Sequence, residues 1–267
     1  MREISTRALA ILGALVLALA SQLVAFGDLV PWEPGGSEVT PPRASLWGCV
    51  GEVSTTVKSR CEAYRPPPGT LCLCFEDQSL LGAHVYGLAL HARDIGPSVD
   101  ISAFRRGVSG CHYSAVQVAA WANYAILTEG SDKNPLLNVL LDRGFLRRES
   151  RWVWPTREFK HLVLVTEGKK RSIEQNILHE FLHVRYDLDP VFREGVRKAW
   201  DYLPEKARKA FLESRKSYDT SQTEQMIEEW GVRMAEKGIQ ANEPTGTEVD
   251  VMNMKVKFLA LGQATAP

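Results

Sequence analysis

Apolar residues recur at helical spacing through much of the second half of the chain. The first such helix is predicted to begin after Ser172, because Gln175 three residues later completes a capping box that satisfies free amide groups. Asp189-Pro190 interrupts this helix. The apolar positions that define its buried stripe are Ile173, Ile177, Phe181 and Val184. Further amphipathic helices are predicted over 191–203, 205–218 and 221–238. Ser221, with Glu224 three residues later, is predicted to form a second capping box at the start of the last of them.

The spacing of apolar residues changes in the segments before this helix. Residues 151–154 and 159–166 have the β-branched and aromatic content of strands, and 145–148 is placed to form a hairpin with the first of them. Short strand-like and loop segments are expected over 49–111.

Two helices are predicted between these groups of strands. The alanine-rich segment 114–127 predicts a buried helix, and 134–143 predicts a second one that ends at Gly144. Because strands lead and helices follow, the order of elements predicts an α+β fold.

The N-terminus has the composition of a secretory signal. Arg2 and Arg7 precede an apolar run over 8–20 that ends in a small-x-small cleavage pattern. Apolar character continues weakly to residue 27, which leaves a later cleavage site or an uncleaved membrane anchor as alternatives. The pattern therefore predicts a secreted or periplasmic protein, with N-terminal anchoring as the second reading.

These boundaries divide the chain into four predicted regions. They are a signal peptide over 1–20 (or to 27), a Pro/Gly-rich linker over 21–48, a folded domain over 49–238 with the cysteines in its N-terminal part, and a tail over 239–267.

The charge balance excludes an obvious polyanionic partner. Lysine plus arginine and aspartate plus glutamate each number 32, so no net field attracts nucleic acid or anionic lipid. Nucleic acid is not the expected partner.

Cysteines occur only in the first half of the chain. In an exported protein such a group predicts disulfides, but an odd number leaves at least one cysteine outside an intrachain pair. The five residues are Cys49, Cys61, Cys72, Cys74 and Cys111.

The sequence His179-Glu180-Phe181-Leu182-His183 lies in the middle of the capped helix. The two histidines are one turn apart, about 6 Å along the axis, so both imidazoles project from one face and can bind one zinc ion. Glu180 is rotated by about 100° from His179, which lets its carboxylate reach a water on the metal without being a ligand.

Residues 176–184 (NILHEFLHV) resemble the active-site helix of zincin metallopeptidases. The resemblance implies that His179 and His183 bind zinc and that Glu180 is the general base. It also implies a zincin-like α+β fold, with a small sheet packed on the active-site helix and a helical C-terminal part. In that family an extended substrate lies along the strand that precedes this helix, and 159–166 stands in that position. The resemblance covers about 159–238.

A catalytic zinc needs a third protein ligand. In the metzincin pattern HExxHxxGxxH the third ligand is the last residue, which here is Asp189. The glycine that makes the turn toward this ligand is replaced by Tyr186, so Asp189 is disfavoured as a ligand. Residues 228–235 resemble the glutamate helix of small gluzincin-like peptidases, in which Glu228 matches the ligand and Gly231 the small residue after it. Glu224 is the next candidate. Glu229 is expected on a polar, solvated face together with Gln225, Arg233 and Glu236.

Other polar residues have weaker claims to a role in chemistry. Cys111-His112 suggests a cysteine nucleophile, but adjacent residues seldom form a working pair, and Cys111 is expected in a disulfide or in the core. His84 and His91 are expected to be packed or surface histidines. The candidates for stabilising an oxyanion are Tyr218, Tyr186, Arg185 and His161.

Together these features predict an exported zinc-dependent peptidase that acts on a peptide or protein substrate. The alternatives are a non-catalytic zinc-containing binding or structural protein and a membrane-anchored peptidase.

Overall fold

The computed structural model describes residues 47–129, 134–215 and 217–240, without the side chains of 129 and 238–240. The predicted signal peptide, most of the predicted linker and the tail beyond 240 lie outside the described residues. Trp47 and Gly48, which were assigned to the linker, belong to the first strand. Within the described residues, no helix combines the length and the apolar content needed to cross a membrane.

A four-stranded sheet forms the centre of the fold. Its strands are β1 (Trp47–Cys49), β2 (Thr70–Cys74), β3 (Gly110–Ser114) and β6 (His161–Val165). They lie in the order β1-β2-β6-β3, with β3 antiparallel to β6 and the other pairs parallel. A separate hairpin pairs β4 (Leu146–Glu149) with β5 (Trp152–Pro155).

Helices alternate with these strands and then continue alone. In the described part of the chain they are α1 (Thr55–Glu62), α2 (Gln78–His91), α3 (Ile101–Gly107), α4 (Ala115–Glu129), α5 (Pro135–Asp142), α6 (Ile173–Leu188), α7 (Pro190–Tyr202), α8 (Glu205–Ser214) and α9 (Thr223–Gln240).

Helices cover both faces of the sheet, so β2 and β6 are buried at every position. Alternate side chains of each strand point to opposite faces. Leu162 and Leu164 of β6 join the core cluster that includes residues of α2, α4 and α5. Val163 and Val165 join the cluster that includes residues of α1 and α6. Helix α6 therefore lies directly on the sheet.

A disulfide between Cys61 and Cys74 links α1 to β2 on the α6 side of the sheet. Cys49, Cys72 and Cys111 are free thiols. The prediction that disulfides form and that at least one cysteine stays unpaired is confirmed. Cys111 belongs to the core.

Three helices of the C-terminal part form a third hydrophobic cluster. Residues of α6, α7 and α9 pack around Trp200 and Trp230, whose ring centroids are 5.6 Å apart. Gly231 allows the close approach of α7, because a Cβ at this position would overlap the side chain of Val196. This packing places α9 against α6.

Many predicted elements are present. The predicted α+β class is confirmed, as are α4, α5, the β4–β5 hairpin and β6. Helix α6 begins at the predicted capping box, and Asp189 ends it and caps α7.

Three predictions about elements are wrong. Residues 49–111 contain three helices rather than only strands and loops. Strand β6 is internal, and β3 is the outer strand beside it. The start of α9 has no capping box, because Ser221 bonds to Asp219 and Glu224 pairs with Arg197.

Candidate metal centre

Helix α6 brings His179 and His183 together, with their Nε2 atoms 3.3 Å apart. Each ring is held through its other nitrogen. His179 Nδ1 donates to Glu236 Oε2 at 3.0 Å, and His183 Nδ1 donates to Glu228 Oε1 at 2.7 Å. In the neutral tautomer that carries its proton on Nδ1, each ring presents the lone pair of Nε2 to a metal.

Glu229 of α9 supplies a third atom to this pair. Its Oε2 lies 3.4 Å from His183 Nε2 and 3.6 Å from His179 Nε2. Ligands about 2.0–2.1 Å from a tetrahedral ion are about 3.3–3.4 Å from one another. The three atoms therefore form a triangle of the size and donor chemistry that one metal ion requires, and this group can hold such an ion.

The carboxylate of Glu229 is fixed on its other side. It is 2% exposed, and its Oε1 accepts hydrogen bonds from the Tyr218 hydroxyl at 3.2 Å and from Arg233 Nε. Burial opposes ionisation, but the neighbouring His179, His183 and Arg233 hold the pKa of Glu229 well below its usual range. Glu229 is therefore a preorganised anion that faces the two imidazoles.

The predicted position of Glu229 needs correction, and Glu228 lies on the other side of His183. Glu229 is buried and not solvated as expected. Glu228 contacts the Nδ1 side of His183, opposite the nitrogen that faces His179. Its 2.7 Å separation from Nδ1 is normal for a charge-assisted hydrogen bond and short for two ligands on one ion. Glu228 also forms, with His112 and His183, a group of donors that could hold a metal ion, so its role as a ligand stays a prediction. The structure joins Glu229, and not Glu228, to the pair of Nε2 atoms.

A sequence signal for Glu229 was available. Arg233 follows it at i+4, and Gln225 precedes it by four residues, so the three form one polar stripe. In the structure this stripe faces the interior, because Gln225 donates to Asp94 and Arg233 donates to the buried Glu229, while Gln225 and Arg233 themselves are half-buried. The polar face of α9 that the sequence predicts to be solvated therefore lines a polar site inside the protein.

The carboxylate of Glu180 lies against the start of β3. Glu180 is 5% exposed, and a Cβ at residue 110 would overlap its Oε1, so only glycine leaves room for it there. Burial raises the pKa of Glu180. A carboxyl with a raised pKa next to a metal centre is suited to accept and return a proton.

The remaining predicted residues lie elsewhere or act indirectly. Asp189 caps α7 and pairs with Arg185, so it is not brought to the histidines. Glu224 is exposed and pairs with Arg197. Tyr186 packs against Phe192. Tyr218 is the donor to Glu229 described above.

A second group of donors adjoins this centre. His112 of β3 and His161 of β6 face each other with Nε2 and Nδ1 3.0 Å apart, and Asp187 of α6 lies beside both. The His112 ring stacks on that of His183 at a centroid distance of 6.1 Å. Four of the six histidines therefore lie in one region, whereas His84 and His91 lie on α2.

In comparisons with known proteins, no family model, curated protein or solved structure matches the chain. Functional inference consequently depends on the geometry of the site and on the motif in α6.

Proposed function

We propose that the protein is a zinc-dependent peptidase in which His179, His183 and Glu229 hold the metal and Glu180 is the general base. The observation that carries the proposal is the triangle of donor atoms, 3.3 to 3.6 Å on a side, beside the buried carboxylate of Glu180. Three protein ligands leave an open position, which distinguishes catalytic from structural zinc sites. The same features support a zincin-like assignment of the fold.

Each residue has a distinct role in the proposed reaction. A zinc ion held by His179, His183 and Glu229 would act as a Lewis acid and would lower the pKa of a bound water to about 7. Glu180 would take the proton of that water and deliver it to the leaving amine. Glu236 and Glu228 would hold the two imidazoles in the required tautomer, and Tyr218 would hold Glu229.

The outer edge of β3 is the proposed position of the peptide substrate. Bonds to β6 are made by Ser109 O, which accepts from Thr166 N at 3.0 Å, and by Ala115 N, which donates to Lys160 O at 2.7 Å. By the alternation of antiparallel pairs, the peptide groups of His112 point away from β6. An extended peptide can add to this edge as a further strand, next to Glu180.

Two further expectations belong to the proposal. The Cys61–Cys74 disulfide fits an oxidising compartment outside the cytosol, in agreement with the N-terminal signal pattern. The substrate class is a peptide or protein rather than a nucleic acid, because the chain has no net positive charge.

The proposal is tested by measuring zinc content and cleavage of a mixed library of quenched fluorescent peptides for three forms of the chain. We expect the native chain to bind zinc and cleave peptides. Glu180→Gln should keep the zinc but lose cleavage by about 100-fold or more, because proton transfer is removed. Glu224→Gln, which changes an exposed glutamate of α9, should match the native chain.

The results separate the proposal from its alternatives. A native chain that holds zinc but cleaves no peptide would be the non-catalytic zinc protein. Equal cleavage by Glu180→Gln would exclude Glu180 as the base, and a chain without zinc would exclude the mechanism altogether.

A further inference from the structure

His112, His161 and Asp187 come from three elements that the fold places side by side. His112 lies opposite Val163 and His161 lies opposite Ser114, so the two histidines are diagonal neighbours on the face of the β3–β6 pair that α6 covers. Asp187 follows His183 by four residues and continues the helix face that carries His179.

The three donor atoms of this group converge on one point. His112 Nε2 and His161 Nδ1 are 3.0 Å apart, and Asp187 Oδ2 lies 3.7 Å from the first and 3.6 Å from the second. Ligands about 2.1 Å from a metal are about 3.0 Å apart at a right angle and about 3.6 Å apart at 120°. The observed separations thus match three ligands on one ion.

A hydrogen-bonded histidine pair explains only part of this geometry. Such a bond uses one nitrogen of each ring and accounts for the 3.0 Å contact. It leaves the Asp187 carboxylate beyond hydrogen-bond distance of both rings although that carboxylate is aimed between them. A cation at the point between these atoms would contact the two ring nitrogens and the Asp187 oxygen at once.

We infer that His112, His161 and Asp187 form a second site for a divalent transition metal ion, distinct from the His179–His183–Glu229 centre. Two imidazoles and one carboxylate are donors that zinc, iron and nickel prefer over calcium or magnesium. The histidine side chains are 8% and 7% exposed, whereas that of Asp187 is 38% exposed, which gives an ion a path from solvent. The inference does not depend on peptide hydrolysis.

The two sites are independent in their ligands. His183 uses Nε2 toward the first centre and Nδ1 toward Glu228. Neither atom is needed by the second group. The native chain therefore has separate donors for two ions.

The test counts zinc equivalents by mass spectrometry after the metal-free full chain is dialysed against dilute zinc. We expect two equivalents for the native chain and one for Asp187→Ala, a change at a partly exposed helix position that suits alanine. His161→Gln should also hold one. His91→Gln, at an exposed histidine of α2, should keep two.

A variant of the first centre makes the two proposals separable. His179→Gln should lose one equivalent and keep the other, and the histidine side-chain NMR signals of His112 and His161 should then still shift on zinc addition. Circular dichroism checks that each variant is folded.

Two outcomes would overturn the inference. A native chain with one equivalent that His179→Gln abolishes would show that His112 and His161 form only a hydrogen-bonded pair. Two equivalents retained by both Asp187→Ala and His161→Gln would place the second ion elsewhere.

Discussion

Two neighbouring glutamates of α9, Glu228 and Glu229, lie on opposite sides of the His183 ring. Glu229 faces Nε2 of His183 and is 2% exposed, whereas Glu228 accepts a hydrogen bond from Nδ1. In the proposed site one carboxylate binds the metal and the other orients the ring that binds it.

This difference predicts that substitutions of the two glutamates weaken zinc binding to different extents. Glu229→Gln should lose zinc almost completely at concentrations that saturate the native chain, because it removes a ligand and its charge. Glu228→Gln should weaken zinc binding by about 10- to 100-fold, the effect expected for an orienting group. Competition with a zinc-sensitive dye measures both affinities.

Glu224→Gln is the matched control on the same helix, because its carboxylate pairs only with the exposed side of Arg197. A reversed order, in which Glu228→Gln is the more damaging change, would restore Glu228 as the ligand.

Sequence patterns identified the donors within one helix but not the donor that comes from another. His179, Glu180 and His183 share α6, so their spacing alone fixes their relative positions. Glu229 could not be chosen over Glu228 in the same way, because the choice depends on which face of α9 meets α6. That face is set by the packing of α7 on Gly231, a contact between distant segments.

At the scale of elements, an ion pair ties α1 to the first turn of α6. Arg60 Nε lies 2.7 Å from Glu174 Oε1, and Arg60 also contacts Glu167. The hydrogen bond to Arg60 lowers the pKa of Glu174 to about 2. The pair holds the start of the helix that carries the proposed metal ligands.

The lowered pKa predicts a pH-dependent contribution to stability. A carboxylate with a depressed pKa in the folded state stabilises the protein above its unfolded pKa, and the effect is lost as pH falls toward the folded value. Glu174→Gln should therefore lower the free energy of unfolding at pH 7 by about 1 kcal/mol or less, as for other solvent-accessible pairs. The difference should vanish between about pH 4.5 and pH 2.

Urea unfolding across this range measures the difference, with the exposed Glu213→Gln on α8 as the control. A destabilisation of Glu174→Gln that persists unchanged at pH 2 would contradict the assignment to this ion pair.

The elements that sequence periodicity missed are those that the fold buries or that carry few apolar residues. Helix α2 contributes to the largest core cluster, and its own apolar residues are distributed around its circumference, so no stripe marks its buried face. Helix α1 is largely polar, with Val57 and Cys61 buried. Helix α6 could be predicted because polar residues separate its apolar stripe from its other face and because a capping box marks its start.

At the scale of the whole molecule, the proposed zinc site joins two hydrophobic clusters, the one between α6 and the sheet and the one around Trp200 and Trp230. His179 and His183 belong to the helix that packs on the sheet, and Glu229 belongs to the helix that packs against α7. A ligand that binds only the folded chain stabilises it according to its concentration relative to its dissociation constant.

Removal of the metal should therefore lower the stability of the whole domain. At 100 times the dissociation constant, bound zinc contributes about 2.7 kcal/mol. For a chain of this size each kcal/mol shifts the melting temperature by about 2–4 °C, so a chelator should lower it by about 5–10 °C. Thermal unfolding followed by circular dichroism measures the shift.

His179→Gln supplies the control, because a chain that has lost the first centre should respond less to the chelator. An identical melting temperature of the native chain with and without chelator would argue against a metal that bridges α6 and α9.

The position of Glu229 along the chain also fixes when the site can first exist. Its helix begins at Thr223, after every strand and after eight of the helices in the described residues. A chain that emerges from its N-terminus can form the sheet and α6 before its third donor has appeared. The proposed site is thus completed only after synthesis has passed α9, so a nascent or truncated chain carries the histidine motif without the proposed third ligand.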